Sequence, residues 1–334
     1  MSLVSPAGPV SRVSPAVSLG GKELAASIRT LTAASIASLE TPPVLMIVTA
    51  TEDEASAWYV RSLAKAAGKI GIECTIVDLG PSASVPDLAA TLEQLSANPS
   101  VHGIILQTPL PEGARLAELA GAIDPAKDVD GANPLSLGRL AVGLPAFAPA
   151  TAAAVIELLD HHQVGIRGAR VVVVGRSAVV GKPVAHLLLN RDATVTVCHS
   201  RTPDLASVTR SAEILVVAAG RAGLIGAGHI APGAVVVDVG TNATPDGGLA
   251  GDVSADAADV AGAITPVPGG VGPVTTAVLL RHVVDAVQAS ARRSGVRLRR
   301  GTGHCDAGQV MLPVTTRDRS CCDRRPGARR AVRR

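Results

Sequence analysis

The chain has 334 residues, enough for two domains with substantial cores; it is 47% hydrophobic and carries a formal net charge of +3. Aromatic residues make up 1%, one Phe, one Tyr and one Trp, so stacking on nucleic-acid bases is not its chemistry and no nucleic-acid partner is expected. No apolar run is long enough to cross a bilayer, and no basic region followed by an apolar core marks the N-terminus, so neither a membrane nor a secretory route is expected and the setting is read as cytoplasmic.

Residues 1–17, rich in Ser and Pro, read as disordered. A helical pattern follows from about Lys22 to Leu39, then the apolar run "PVLMIVTA" (43–50), a buried strand. A helix over Glu54–Lys69 leads to a strand at "IECTIVDL" (72–79), a helix over about Val85–Ala97 and the strand "VHGIILQ" (101–107). Strand and helix alternate at the lengths of right-handed βαβ units, which implies a parallel sheet. "KDVDGANPLSLGRL" reads as a loop-rich segment, after which a helix at 150–161 crosses to a second alternating block starting at Arg170. The fold class is therefore α/β in two domains with a cleft between: 18–149, then a Rossmann-like domain over 150–274, with a helix at 275–290 returning to the first domain. Residues 291–334 hold 13 Arg and 3 Asp, a net of +10 that leaves −7 for the rest, and read as a basic disordered tail. The five Cys show no metal-ligand spacing; Cys74 and Cys198 read as small buried hydrophobes and no metal is expected.

The second block carries the clearest signal. In "ARVVVVGRSAVVGKPVAHLLL" four valines make a buried strand, Gly175 permits a tight turn, and Gly181 permits close approach where a helix begins. A strand, a glycine turn and a helix N-terminus together cradle phosphate. The spacing is G-x-x-x-x-x-G, which alone also fits a plain βα turn. Where an NAD-binding fold places an acid for the ribose, this chain has Ser200 and Arg201, with Arg176 and Ser177 in the first turn. Cationic and hydroxyl donors suit a 2′-phosphate, so NADP is favoured over NAD. Thr241, after the strand "AVVVDVG", is placed to meet the cofactor.

Joined to "ILQTPLP", "KDVDG" and "TPVPGGVGPVT", in that order, these motifs give a sequence that resembles the bacterial bifunctional methylenetetrahydrofolate dehydrogenase/methenyltetrahydrofolate cyclohydrolase family over about residues 18–288. The resemblance implies an N-terminal folate domain, a C-terminal Rossmann domain, a homodimer, and NADP-dependent oxidation of methylene-tetrahydrofolate in one-carbon metabolism, usually followed by hydrolysis of the methenyl product to formyl-tetrahydrofolate. It assigns Tyr59 to stacking against the folate, with Ser56 in its usual place. It assigns Gln107 to partnering the catalytic lysine, and Asp130 to holding the pterin, whose amino and N–H edge suits a short bidentate acceptor. Pro268, Gly269 and Gly270 lie where backbone must approach folate and nicotinamide; Val274 replaces the usual Met.

One position departs from the pattern. Family members read Tyr-x-x-x-Lys, and the lysine position is Leu63 here. Lys65 does not substitute for it, because six residues at about 100° each put it roughly 120° around the axis from Tyr59. Hydride transfer needs no acid or base of the protein's own, but hydrolysis gains about 10²–10⁴-fold from a positioned one. The expectation is a competent dehydrogenase whose cyclohydrolase is weak or lost. Two readings stay open beside it: a fully bifunctional enzyme, and a non-catalytic paralogue that binds folate or NADP.

Overall fold

A computed structural model describes residues 15–293. The expected disorder of the first dozen or so residues, and all of the basic tail beyond 293, lie outside these described residues. The ordered chain begins earlier than expected, because Val17–Ser18 (β1) is a strand. After it come α1 (Lys22–Ile36), β2 (Val44–Thr49), α2 (Glu54–Lys69), β3 (Glu73–Asp78), α3 (Val85–Ala97) and β4 (Gly103–Leu106). Two short helices follow, α4 (Leu116–Ala120) and α5 (Pro134–Ala141), and then α6 (Ala150–His161). The second block runs β5 (Arg170–Val174), α7 (Gly181–Leu189), β6 (Thr194–Cys198), α8 (Leu205–Thr209), β7 (Ile214–Val217) and β8 (Val235–Asp238). A hairpin of β9 (Asn242–Ala243) and β10 (Leu249–Ala250), then β11 (Ala263–Ile264) and the long helix α9 (Val271–Arg293), complete it.

The architecture is two-domain α/β. The first sheet is parallel, in the order β3-β2-β4, with Ile47 of β2 opposite both Ile76 and Ile105. The second is six-stranded and parallel, in the order β1-β11-β8-β7-β5-β6. β5, β7 and β4 are buried along almost their whole lengths, which is why they read as unbroken Val, Ile and Leu rather than alternating polar and apolar residues. One apolar core joins α1, α2, α6 and α9 to the β5 and β7 layer.

Local chemistry sets the helix bounds. Asp53 caps α2 by accepting from the Ser56 N–H at 2.7 Å, and Lys69 sits in the last turn, favourable to the helix dipole. Ser56, Val60, Leu63 and Ala67 form its buried stripe at helical spacing. The segment expected to be loop-rich contains α5: Asn133 caps it by accepting from the Leu135 N–H at 2.7 Å, and Pro134 takes the first helical position, where no donor is needed. α9 begins at Val271 rather than 275 and continues through 291–293, so the expected helix bounds were too narrow at both ends. Among the described residues no helix is long and apolar enough to cross a membrane.

Candidate active site

Each sheet has a point where the chain departs to opposite sides, the place where open α/β sheets receive ligands at their C-terminal strand ends. In the first sheet that point lies between β2 and β4. Gln107, directly after β4, donates its N–H to the Val48 carbonyl at 2.9 Å, and its Nε2 donates to the Thr108 carbonyl at 2.7 Å. The Ser56 hydroxyl, arriving from α2, donates to the same carbonyl at 3.0 Å. Ser56 and Gln107 are thus brought together on one backbone oxygen.

Asp130 comes from the chain running beside β4. The Ile104 N–H donates to the Lys127 carbonyl at 2.8 Å, which lays 127–129 along the strand and delivers Asp130 to its open end. Behind it Asp128, 1% exposed, accepts from the Ala132 N–H at 3.1 Å and the Asn133 N–H at 2.8 Å. Burial pushes the Asp130 carboxyl up to about 7, and the neighbouring Asp128 charge adds to the rise. Gly131, at φ +69, makes the turn possible, since a Cβ there would meet the Ala148 carbonyl carbon at 2.5 Å.

Tyr59 is partly buried and packs against the main core. Burial first, and the Asp130 charge second, push its phenol up to about 12, while a hydrogen bond with the Thr276 hydroxyl of α9 opposes the rise. Tyr59 therefore stays protonated at any working pH. Leu63, one turn on, is 2% exposed within the core. Lys65 is exposed and lines a shallow groove with Ala26, Arg29 and Thr30 of α1. Position 63 is thus filled by a buried hydrocarbon, and Lys65 lies on the exposed side of α2 toward α1.

The segment 268–270 enters from the other domain. Gly21 donates its N–H to the Gly269 carbonyl at 2.9 Å, and a Cβ on Gly21 would overlap the Gly270 carbonyl. Gly269 itself has φ +110. Pro268 is thus exposed at the end of a segment whose two glycines are buried and braced by the "LGGK" turn.

In the second sheet the departure point lies between β5 and β7. Gly175, at φ +128, ends β5, and a Cβ there would overlap the Ala218 carbonyl. A Cβ on Gly181 would overlap the Gly175 carbonyl and lie 2.8 Å from the Arg176 nitrogen. The Ser177 hydroxyl accepts from the Val180 N–H at 3.1 Å and the Gly181 N–H at 3.3 Å, closing the turn onto the start of α7. Arg176 after β5, Ser200 after β6 and Thr241 after β8 are all exposed. The turn is drawn tight at its two glycines; Lys182 donates its N–H to the Ser177 carbonyl at 3.1 Å and Pro183 has none, so the first N–H groups of the nine-residue α7 are satisfied within the chain, and a pyrophosphate would lie against the backbone of the turn rather than on free helix donors.

Sequence reading missed Thr276, the Asp128 brace, and His282 of α9. His282 is 7% exposed, bonds the Val129 carbonyl at 2.9 Å through Nδ1 and packs on Phe147 with ring centroids 5.1 Å apart. Asp128 stands in the "KDVDG" motif itself, where its strand-side position was the available signal; Thr276 and His282 are apolar-face positions of a helix and carry none.

Residues 19–130 match the tetrahydrofolate dehydrogenase/cyclohydrolase catalytic domain, and residues 149–291 match the NAD(P)-binding domain of the same family. The chain is 64% identical over 273 residues to the bifunctional protein FolD 1 of Rhodococcus jostii, covering 80% of this chain and 92% of that protein. Among solved structures it is similar to the bifunctional FolD methylenetetrahydrofolate dehydrogenase/cyclohydrolase of Campylobacter jejuni, at 37% identity and TM-score 0.79, covering 81% and 98% of the two chains. It is likewise similar to the Trypanosoma brucei FolD enzyme complexed with NADP cofactor and inhibitor, at 39% identity and TM-score 0.79, covering 84% and 99%.

Proposed function

The chain belongs to the tetrahydrofolate dehydrogenase/cyclohydrolase family, and from that membership we propose that it oxidises methylene-tetrahydrofolate to methenyl-tetrahydrofolate with NADP while hydrolysing the methenyl product weakly or not at all. The observation that carries the second half is Leu63, 2% exposed one turn from Tyr59 where the family pattern has lysine.

NADP, when bound, supplies the hydride acceptor. The chain's own task is to hold the donor carbon in contact with the nicotinamide and to exclude water. Gly175, Ser177 and Gly181 receive the pyrophosphate, and Arg176 and Ser200 receive the 2′-phosphate. Thr241 meets the cofactor from the next strand end. Asp130 takes the pterin's N–H edge, Tyr59 covers the ring, Ser56 and Gln107 shape the wall through the Thr108 carbonyl, and the 268–270 segment, with Pro268 at its surface, meets both ligands. The folate nitrogens expel the hydride, so no group in this set has to move a proton.

Hydrolysis has to take a proton from water and return one to nitrogen. Tyr59, raised to about 12, is no base near neutrality, and Leu63 can neither donate nor accept. One feature favours the fully bifunctional reading instead: burial, with the Asp128 charge beside it, pushes the Asp130 carboxyl up to about 7, where an acid–base group is most effective. A cytoplasmic homodimer is part of the proposal, to be checked by light scattering and fractionation.

The dehydrogenase half is tested by following reduction of NADP, and separately of NAD, on methylene-tetrahydrofolate. Turnover with NADP preferred supports it. Absence of turnover alongside tight binding of both ligands would leave the non-catalytic paralogue.

A further inference from the structure

The C-terminal edge of the second sheet holds two buried carboxylates to which this chemistry gives no role. Asp252 is 0% exposed and Asp238 is 4% exposed. Asp252 Oδ2 accepts from the Ala219 N–H at 2.6 Å and the Gly220 N–H at 2.9 Å, and its Oδ1 accepts from the Arg221 N–H at 2.8 Å and from Asn242 Nδ2 at 2.9 Å. Asp238 Oδ1 accepts from the Gly240 N–H at 2.9 Å and the Asp252 N–H at 3.0 Å, and its Oδ2 accepts from the Val253 N–H at 3.0 Å.

The first group has a recognisable shape. Three successive N–H groups around a left-handed residue, here Gly220 at φ +64, form a concavity that binds anions. It lies directly after β7, beside the Gly175 turn, where a bound dinucleotide brings its own anionic groups. The chain's own carboxylate already fills it. Through Asn242 the same carboxylate reaches the segment after β8, and a Cβ on Gly240 would overlap Asp252, so the two loops are locked against it.

We propose that Asp252 is a positioning residue for the cofactor: by filling the 219–221 concavity and holding Asn242 it fixes the two loops after β7 and β8, closes that concavity to phosphate, and leaves the pyrophosphate to the Gly175–Gly181 turn. The inference rests on the cofactor reading above. Asp252 touches no reacting atom. It acts through Ala219–Arg221 on one side and through Asn242, next to Thr241, on the other.

The test is calorimetric titration of NADP into the full chain without folate, for the wild type, Asp252→Asn and Asn242→Ala. Asp252→Asn keeps the size but turns an amide N–H toward backbone donors, and it should weaken NADP binding roughly tenfold. Steady-state assays should show the same loss in the KM for NADP, with kcat and the KM for folate held within about twofold, since only the cofactor wall has moved. Asn242→Ala removes one of the four bonds and should weaken NADP about threefold; it carries the test if Asp252→Asn does not fold. Unchanged NADP affinity in the folded variants, with only a lower melting temperature, would overturn the inference and leave Asp252 a structural brace. A wild type that binds no NADP would overturn the cofactor reading itself, which is a different result from wild-type binding that the variants leave intact.

Discussion

Tyr59 and Leu63 stand one turn apart on α2, the phenol bonded to the Thr276 hydroxyl within reach of the Asp130 charge, the leucine 2% exposed in the core beside it. At (i, i+4) spacing the two share a face, so whatever occupies position 63 decides what Tyr59's neighbour can do. Of the two activities, replacing it should therefore change hydrolysis and not hydride transfer. Leu63→Lys should raise conversion of methenyl- to formyl-tetrahydrofolate by about 10²–10⁴-fold. Lost apolar burial should cost roughly 2 kcal/mol of stability, read from chemical denaturation. Lys65→Ala, which alters an exposed side chain on the α1 side, should leave both activities unchanged.

Substrate binding should depend on pH through Asp130. A carboxylate accepts the pterin's two N–H groups, whereas the protonated acid offers one of its oxygens as a donor. With the carboxyl raised to about 7 by burial, the competent fraction falls as pH drops through that value. The KM for methylene-tetrahydrofolate should be roughly tenfold higher at pH 6 than at pH 8, and Asp130→Asn should abolish the dependence while weakening binding throughout. A flat KM across that range would mean that Asp130 does not meet the pterin as a carboxylate.

Acid should also weaken the fold through His282, whose shift is opposite in sign to that of Asp130. Burial holds this imidazole down to about 4, against an ordinary value of 6.5. Between those values the unfolded chain binds a proton that the native state refuses, so this contribution to stability is present above 6.5 and is lost as pH falls toward 4. At its limit the loss is on the order of 3 kcal/mol. Asp130, raised above its ordinary value, works against it in the same window, so the readout is the difference between wild type and His282→Asn. The variant, whose amide can still donate to the Val129 carbonyl, should lose less stability than wild type between pH 7 and pH 4.5.

The phosphate cradle allows a steric test. A Cβ at position 181 would overlap the Gly175 carbonyl, so Gly181→Ala must push the turn open. NADP affinity should fall by roughly a hundredfold, with folate binding unaffected. Arg176→Ala, by contrast, removes a charge from an exposed position and should cost roughly tenfold for NADP and little for NAD.

Much of this was legible in the chain because burial leaves compositional marks. Glu54–Lys69 and Val85–Ala97 could be read end to end from an acid or hydroxyl cap followed by helical periodicity, and "VVVV" announced a strand covered on both faces. Val17–Ser18 was not legible, since two residues pairing with Ala263–Ile264 have no periodicity to display. α5 was hidden because eight residues with Pro134 at the front and Gly138 inside resemble a loop, and only the Asn133 cap betrays them. At the site, glycines and motif residues were visible because their chemistry is local. Asp252, Thr276 and His282 were not, since each acts on a partner more than 30 residues away and meaning comes only with the fold.

The most direct measurement is the rate of methenyl- to formyl-tetrahydrofolate conversion over the spontaneous rate, taken with the same preparation that reduces NADP on methylene-tetrahydrofolate. Brisk NADP reduction with hydrolysis at or near background is the predicted result. Hydrolysis keeping pace with the dehydrogenase would contradict the account, and would mean that a group other than the residue at position 63 handles the proton.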